Sequence, residues 1–180
     1  DEDFRKSLPK LDNIFYVDYN DYVDYNFFYA DLLYAKAWQQ MNWLIGLYAF
    51  NMKHQEYGYY MFVEPDVMFN GDWDYFMTKI PWQKFDFIHE NVIQSIIDEE
   101  YWHHYATMKI DLKPEEIYHS LISWFIIKRD LLNKILEEIN NIQDPDFNCY
   151  GEILLPTMVM KLKGKEACVR TWFNVEVYPT

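Results

Sequence analysis

The stretch "YYMFVEPDVMFNGDW", Tyr59 to Trp73, sets an aromatic and apolar run against an abrupt Glu-Pro-Asp. Tyr59–Val63 has no polar alternation, as expected of a strand covered on both faces in a parallel sheet. Glu64, Pro65 and Asp66 begin where that strand stops. Upstream, "NIFYV" (Asn13–Val17) has the same β-prone character and predicts a short strand. Between the two, Leu33, Ala37, Met41, Leu44 and Tyr48 recur at helical spacing and predict a long helix over Phe27–Lys53. Strand, helix, strand is a βαβ unit, whose right-handed crossover leaves its two strands parallel. Ligands of such sheets lie beyond the carboxyl ends of the strands. Glu64 and Asp66 are therefore expected at the ligand edge.

Downstream, "NGDWDYFMTKI" predicts a turn into a short helix with Asp72 as N-cap. Phe85–His89 and Ser120–Lys128 predict two further strands, with residues 91–116 divided between helix and loop. Arg129–Ile142 predicts an amphipathic helix, and Glu152–Gly164 another with Pro156 early enough to be tolerated. Glu166–Tyr178 predicts a last strand. The expected fold is one α/β domain over residues 1–180, a mostly parallel sheet flanked by helices.

Of the 180 residues, 51% are apolar and 20% aromatic, enough for a core and against intrinsic disorder. Most of the 16 Tyr, 13 Phe and 7 Trp are expected in that core, although flat rings also suit a sugar or nucleotide site. The net charge of -13 argues against a nucleic-acid partner, which needs Lys and Arg to displace counterions. It does not exclude a phosphate-bearing small ligand bridged by a divalent metal. No apolar run reaches the roughly 18 residues of a membrane span. Cys149 and Cys168 are either one disulfide or two free thiols.

Glu64 and Asp66 stand two residues apart, and in extended backbone such residues face the same side. Both carboxylates can then address one hard cation, Mn²⁺ or Mg²⁺, which prefer oxygen ligands. A cation so held would bridge to a diphosphate and offset the charge it develops as a leaving group. The competing expectation is a strand-ending turn with solvated carboxylates.

An apolar strand ending in an acidic-x-acidic motif resembles the DXD site of GT-A-fold glycosyltransferases. "FVEPDVMFNGDWDYF" is similar to the E-x-DV-x-x-x-G-x-W pattern of one uncharacterised DXD-bearing group, and "SWFIIKRDLL" followed by "YGEILLPTMV" resembles that group's second half. The resemblance covers roughly residues 13–160. It implies a GT-A-like domain that moves a sugar from a nucleotide-sugar donor to a glycan or other hydroxyl acceptor. It implies that Glu64 and Asp66 bind the metal and the diphosphate, and that Glu152 is the general base if the enzyme inverts. Two departures are visible. Glu64 stands where the motif has Asp, one methylene longer. A GT-A domain usually begins with a strand and loop that hold the nucleotide base, and twelve residues precede Asn13. Either that element is absent from this chain or residues 1–13 are its remnant.

Several residues keep two meanings. Glu152 is either that base or a first-turn carboxylate complementing a helix dipole. Trp73 either seals its loop or stacks on a sugar. His89 either ligates the metal, contacts a sugar or ends a strand. Lys128 and Arg129 either offset diphosphate charge or start a helix. A second function class stays open: a catalytically degenerate GT-A-like module that binds a glycan or a protein.

Overall fold

The structure, a computed structural model, describes residues 47, 51–64, 67, 69–91, 93–95, 112–120, 122–142 and 151–173. The expected strand Asn13–Val17 lies outside the described residues, as do most of the helix before Lys53, the pair Pro65 and Asp66, Cys149, and residues 174–178 of the expected last strand. Leu47 and residues 51–53 are helical, in line with the end of the expected helix.

Among the described residues after Lys53, six strands and three α-helices follow in chain order. They are β1 (Tyr59–Val63), α1 (Trp73–Lys79), β2 (Phe87–His89), β3 (Gln94–Ser95), β4 (Tyr118–His119), β5 (Trp124–Lys128), α2 (Arg129–Asn140), α3 (Gly151–Lys161) and β6 (Glu166–Cys168). A main sheet has the order β1-β5-β2-β6, and β3 pairs with β4 in a separate two-stranded ladder. β5 is antiparallel to both β1 and β2, while β2 and β6 are parallel.

The architecture is α/β with a small, open, mixed sheet, and this corrects the expectation of a mostly parallel one. Two of the three pairings in the main sheet are antiparallel because β5 enters between β1 and β2 running the other way. The physical reason lies in "WFIIK": Phe125, Ile126 and Ile127 are all buried, so the strand is covered on both faces. A strand apolar on both faces carries no local signal of its direction.

Side-chain alternation sends the sheet into two cores. Tyr60, Phe87, Phe125 and Ile127 pack with Leu132, Ile135, Leu154 and Met158 of α2 and α3. Ile88 and Ile126, on the opposite face, pack with Phe76 and Ile80 around α1 and with Val169. α2 buries Leu131, Leu132, Ile135, Leu136 and Ile139, the stripe that three- and four-residue spacing predicts. α1 begins as expected, with the Asp72 carboxylate accepting the Tyr75 N–H at 3.0 Å. The last expected strand is shorter than predicted: β6 gives way to a 3-10 turn at Val169–Thr171.

α3 contains Pro156 in its interior, not in its first turn. Proline has no N–H to donate to the carbonyl four residues back, and its ring pushes that carbonyl aside. That carbonyl belongs to Glu152, and it accepts the Ser120 N–H at 2.9 Å. Next in the chain, the Thr157 hydroxyl accepts the Tyr118 N–H at 3.0 Å and donates to the Tyr118 carbonyl at 3.1 Å. Pro156 and Thr157 thus dock α3 onto the segment that leads into β5.

Candidate functional site

Reversal of β5 decides which residues share the edge that Glu64 occupies. β1, β2 and β6 all end there, and β5 begins there. The edge therefore gathers Glu64, His89, Glu90 and Cys168 with the Ser120–Ser123 segment. Lys128 and Arg129 go to the opposite edge. Lys128 is the register partner of Tyr59, at the start of β1. Four residues of strand, about 13 Å, separate that level from Val63. There Lys128 Nζ meets Asp86 at 3.4 Å, and Arg129 bonds the Gln55 carbonyl. They are not placed to offset charge on a ligand at the Glu64 edge.

The Ser120–Ser123 segment binds the edge together. The Glu64 N–H donates to the Ser123 carbonyl at 2.9 Å, extending the β1–β5 ladder by one bond. The Ser123 N–H and hydroxyl both donate to Glu90 Oε1, at 2.7 and 2.6 Å. Glu90 is buried, and two donors on one carboxylate oxygen compensate its removal from water. The Ser120 hydroxyl donates to the Asn91 carbonyl at 3.2 Å. Its N–H closes the link to Glu152 described above. Glu64, Glu90 and Glu152 thus sit on one hydrogen-bonded frame, the first and last through their backbones.

The Val67 N–H donates to the Glu64 carbonyl at 3.1 Å. Asp66, the other half of the expected metal pair, lies outside the described residues. Among the described residues, no group of three or more His, Cys, Asp and Glu is arranged to hold a metal ion. Glu152 occupies the first turn of α3 and is partly buried.

His89 is 0% exposed and stacks on Phe87 with ring centroids 5.1 Å apart. Its Nε2 lies 2.9 Å from Glu166 Oε2 on β6. Glu166 is held below the usual carboxylate range, chiefly by that hydrogen bond; burial opposes the shift and the His89 charge adds to it. In this conformation His89 holds two strands together, and contact with a sugar would require the β6 edge to open. Cys168 is a free thiol that donates to the Glu90 carbonyl at 3.3 Å.

Trp73 opens α1 and is 43% exposed, with Phe69 at 37% beside it. The sequence points to Trp73, and to His89 and Glu90 at the end of a strand near the same edge; it passes over Phe69, Ser120, Ser123 and Glu166. One signal was available for the serines: they are the polar residues of an otherwise apolar "SLIS" entering a strand. Comparison with known proteins finds no matching family model, no matching curated protein and no matching solved structure.

Proposed function

We propose that the protein is a metal-dependent glycosyltransferase of GT-A-like fold that moves a sugar from a nucleotide-diphosphate donor to a hydroxyl acceptor. One observation supports this most directly. Glu64 stands at the carboxyl end of β1, its backbone tied to Ser123, which Glu90 in turn fixes from the end of β2. A ligand at this edge meets a carboxylate on a braced backbone.

The donor set Glu64 and Asp66 is all oxygen, which suits Mn²⁺ or Mg²⁺. When bound, the cation offsets charge developing on the departing diphosphate. Glu152 is assigned the proton of the acceptor hydroxyl. As that oxygen bonds to the anomeric carbon, the nucleoside diphosphate leaves with the electron pair of the broken bond. Trp73 is assigned to sugar contact. His89 is assigned to positioning through Glu166 and β6.

Calorimetric titration with UDP- and GDP-sugars, with and without Mn²⁺, tests the proposal. Metal-dependent binding is expected, and Glu64→Ala and Asp66→Ala should each weaken it at least about tenfold, the effect of losing about 1.4 kcal/mol. Full metal-dependent turnover in either variant overturns the site assignment. The second reading, a binding module without turnover, is favoured by the exposed Phe69 and Trp73 rings, which need no metal. Absence of metal-dependent nucleotide binding decides for it.

A further inference from the structure

Phe69 and Trp73 stand together at the surface between β1 and α1, with ring centroids 4.4 Å apart and planes at 47°. Both lean on Phe76, at 5.0 and 5.7 Å. Phe76 is buried and braced by Trp124 of β5 at 5.7 Å and by Phe173 at 4.8 Å. The ledge is therefore backed by packed rings on its inner side, and Phe69 and Trp73 remain partly exposed on its outer side. Gly71 is part of its construction: a Cβ there would come within 2.5 Å of Phe69 Cζ. The ledge also connects to the Glu64 edge, because Trp124 is the register partner of Val63.

The charges around the ledge restrict what it can hold. Asp72 and Asp74 are exposed on either side of Trp73, and one Asp72 oxygen is already engaged in capping α1. Lys79, the cation in the last turn of this helix, lies over Tyr75 at 5.2 Å to the ring centroid. Two carboxylates repel a phosphate or a uronate. A purely aliphatic partner would strip water from them with nothing in return. A neutral pyranose meets both demands. Its C–H face covers the rings, and its rim hydroxyls donate to the carboxylates.

We infer that the Phe69–Trp73 ledge is a binding subsite for one neutral pyranose ring. The statement that this ring belongs to the acceptor rests on the transferase proposal; binding itself requires neither metal nor nucleotide.

The test uses the full chain with chelator present and no nucleotide. The methyl glycosides of glucose, galactose and mannose are the probes, and glucuronate is the charged control. The indole N–H signals of the 7 Trp are followed by NMR, with that of Trp73 identified by its loss in Trp73→Phe. A saturable shift of the Trp73 signal with at least one neutral glycoside, and weaker binding of glucuronate, is expected. Phe69→Ala and Trp73→Ala should each weaken binding roughly five- to tenfold, about 1–1.4 kcal/mol, and Trp73→Phe less, with binding to the Trp73 variants followed on the glycoside's own proton signals. No saturable shift with any probe overturns the inference, as does binding that survives Phe69→Ala and Trp73→Ala in full. Trp73→Phe, which preserves an aromatic ring against Phe76, guards against a folding defect. Glycoside binding without Mn²⁺-dependent nucleotide-sugar binding sinks the transferase proposal and leaves the subsite standing. The reverse result removes the subsite alone.

Discussion

The Glu152 carbonyl, to which Pro156 has no N–H to offer, accepts the Ser120 N–H at 2.9 Å. A residue that ordinarily damages a helix here lends an acceptor to the segment entering β5. Pro156→Ala restores the missing N–H and removes the ring clash, which is of order 3 kcal/mol in an unadapted helix. The variant is expected to be as stable as the parent or more so. The Ser120 amide should nevertheless exchange its hydrogen faster, because the Glu152 carbonyl returns to the helix. Unchanged exchange at Ser120 would show that the proline does not hold this contact.

His89 and Glu166 link β2 to β6 through a single side-chain bond. Nδ1 of the same ring is buried with no partner among the described residues. Glu166→Ala strands the other nitrogen as well and should cost about 1–3 kcal/mol in chemical denaturation. His89→Phe replaces the ring by an apolar one that still stacks on Phe87, and the double variant with Glu166→Ala should recover much of that loss.

The same pair predicts an acid limb. The Glu166 carboxyl is lowered from an ordinary 4.5, with the His89 hydrogen bond as the main cause. Between its folded and unfolded values, the native state binds fewer protons than the unfolded one. The resulting stabilisation is complete above 4.5 and is lost as pH falls through the folded value. Glu166→Gln should flatten the pH dependence of unfolding in that window. An equally steep limb in the variant would place its origin elsewhere.

Glu90→Ala removes the acceptor of both Ser123 donors, at 2.7 and 2.6 Å. The expected cost is about 2–3 kcal/mol, with Glu90→Gln nearer 1 kcal/mol because a carbonyl oxygen remains. Because the Ser123 carbonyl accepts the Glu64 N–H, protection of the Glu64 amide should fall in Glu90→Ala and persist in Glu90→Gln.

Gly71→Ala drives the Phe69 ring off its seat, since the added methyl would meet Cζ at 2.5 Å. The ring is the free end of a side chain and can swing away, so stability should change by less than about 1 kcal/mol. Emission from Trp73, isolated by difference against Trp73→Phe, should shift to the red as its neighbour leaves. Glycoside binding to the ledge should weaken with it.

Much of the local structure was legible. The strand at Tyr59–Val63, the cap at Asp72, the helix from Arg129 and the strand over "FIH" follow from periodicity and capping chemistry. The candidate site was legible only where it is local: Glu64 ends its strand as its sequence suggests. The expectations for Lys128, Arg129 and His89 depended on neighbours that no local pattern names.

The sequence alone determined that strands lie over Tyr59–Val63, "FIH" and "WFIIK", that helices open at Trp73 and Arg129, and which residues are apolar enough to be buried, because those depend on contacts within a few residues. Only tertiary structure decided the direction of β5. Three consecutive buried apolar residues fit a covered strand equally well in either sense, so the choice falls to pairing with β1 and β2. That choice brought Ser123 to the edge beside Glu64, where Glu90 follows the end of β2, and carried the two cations to the far side.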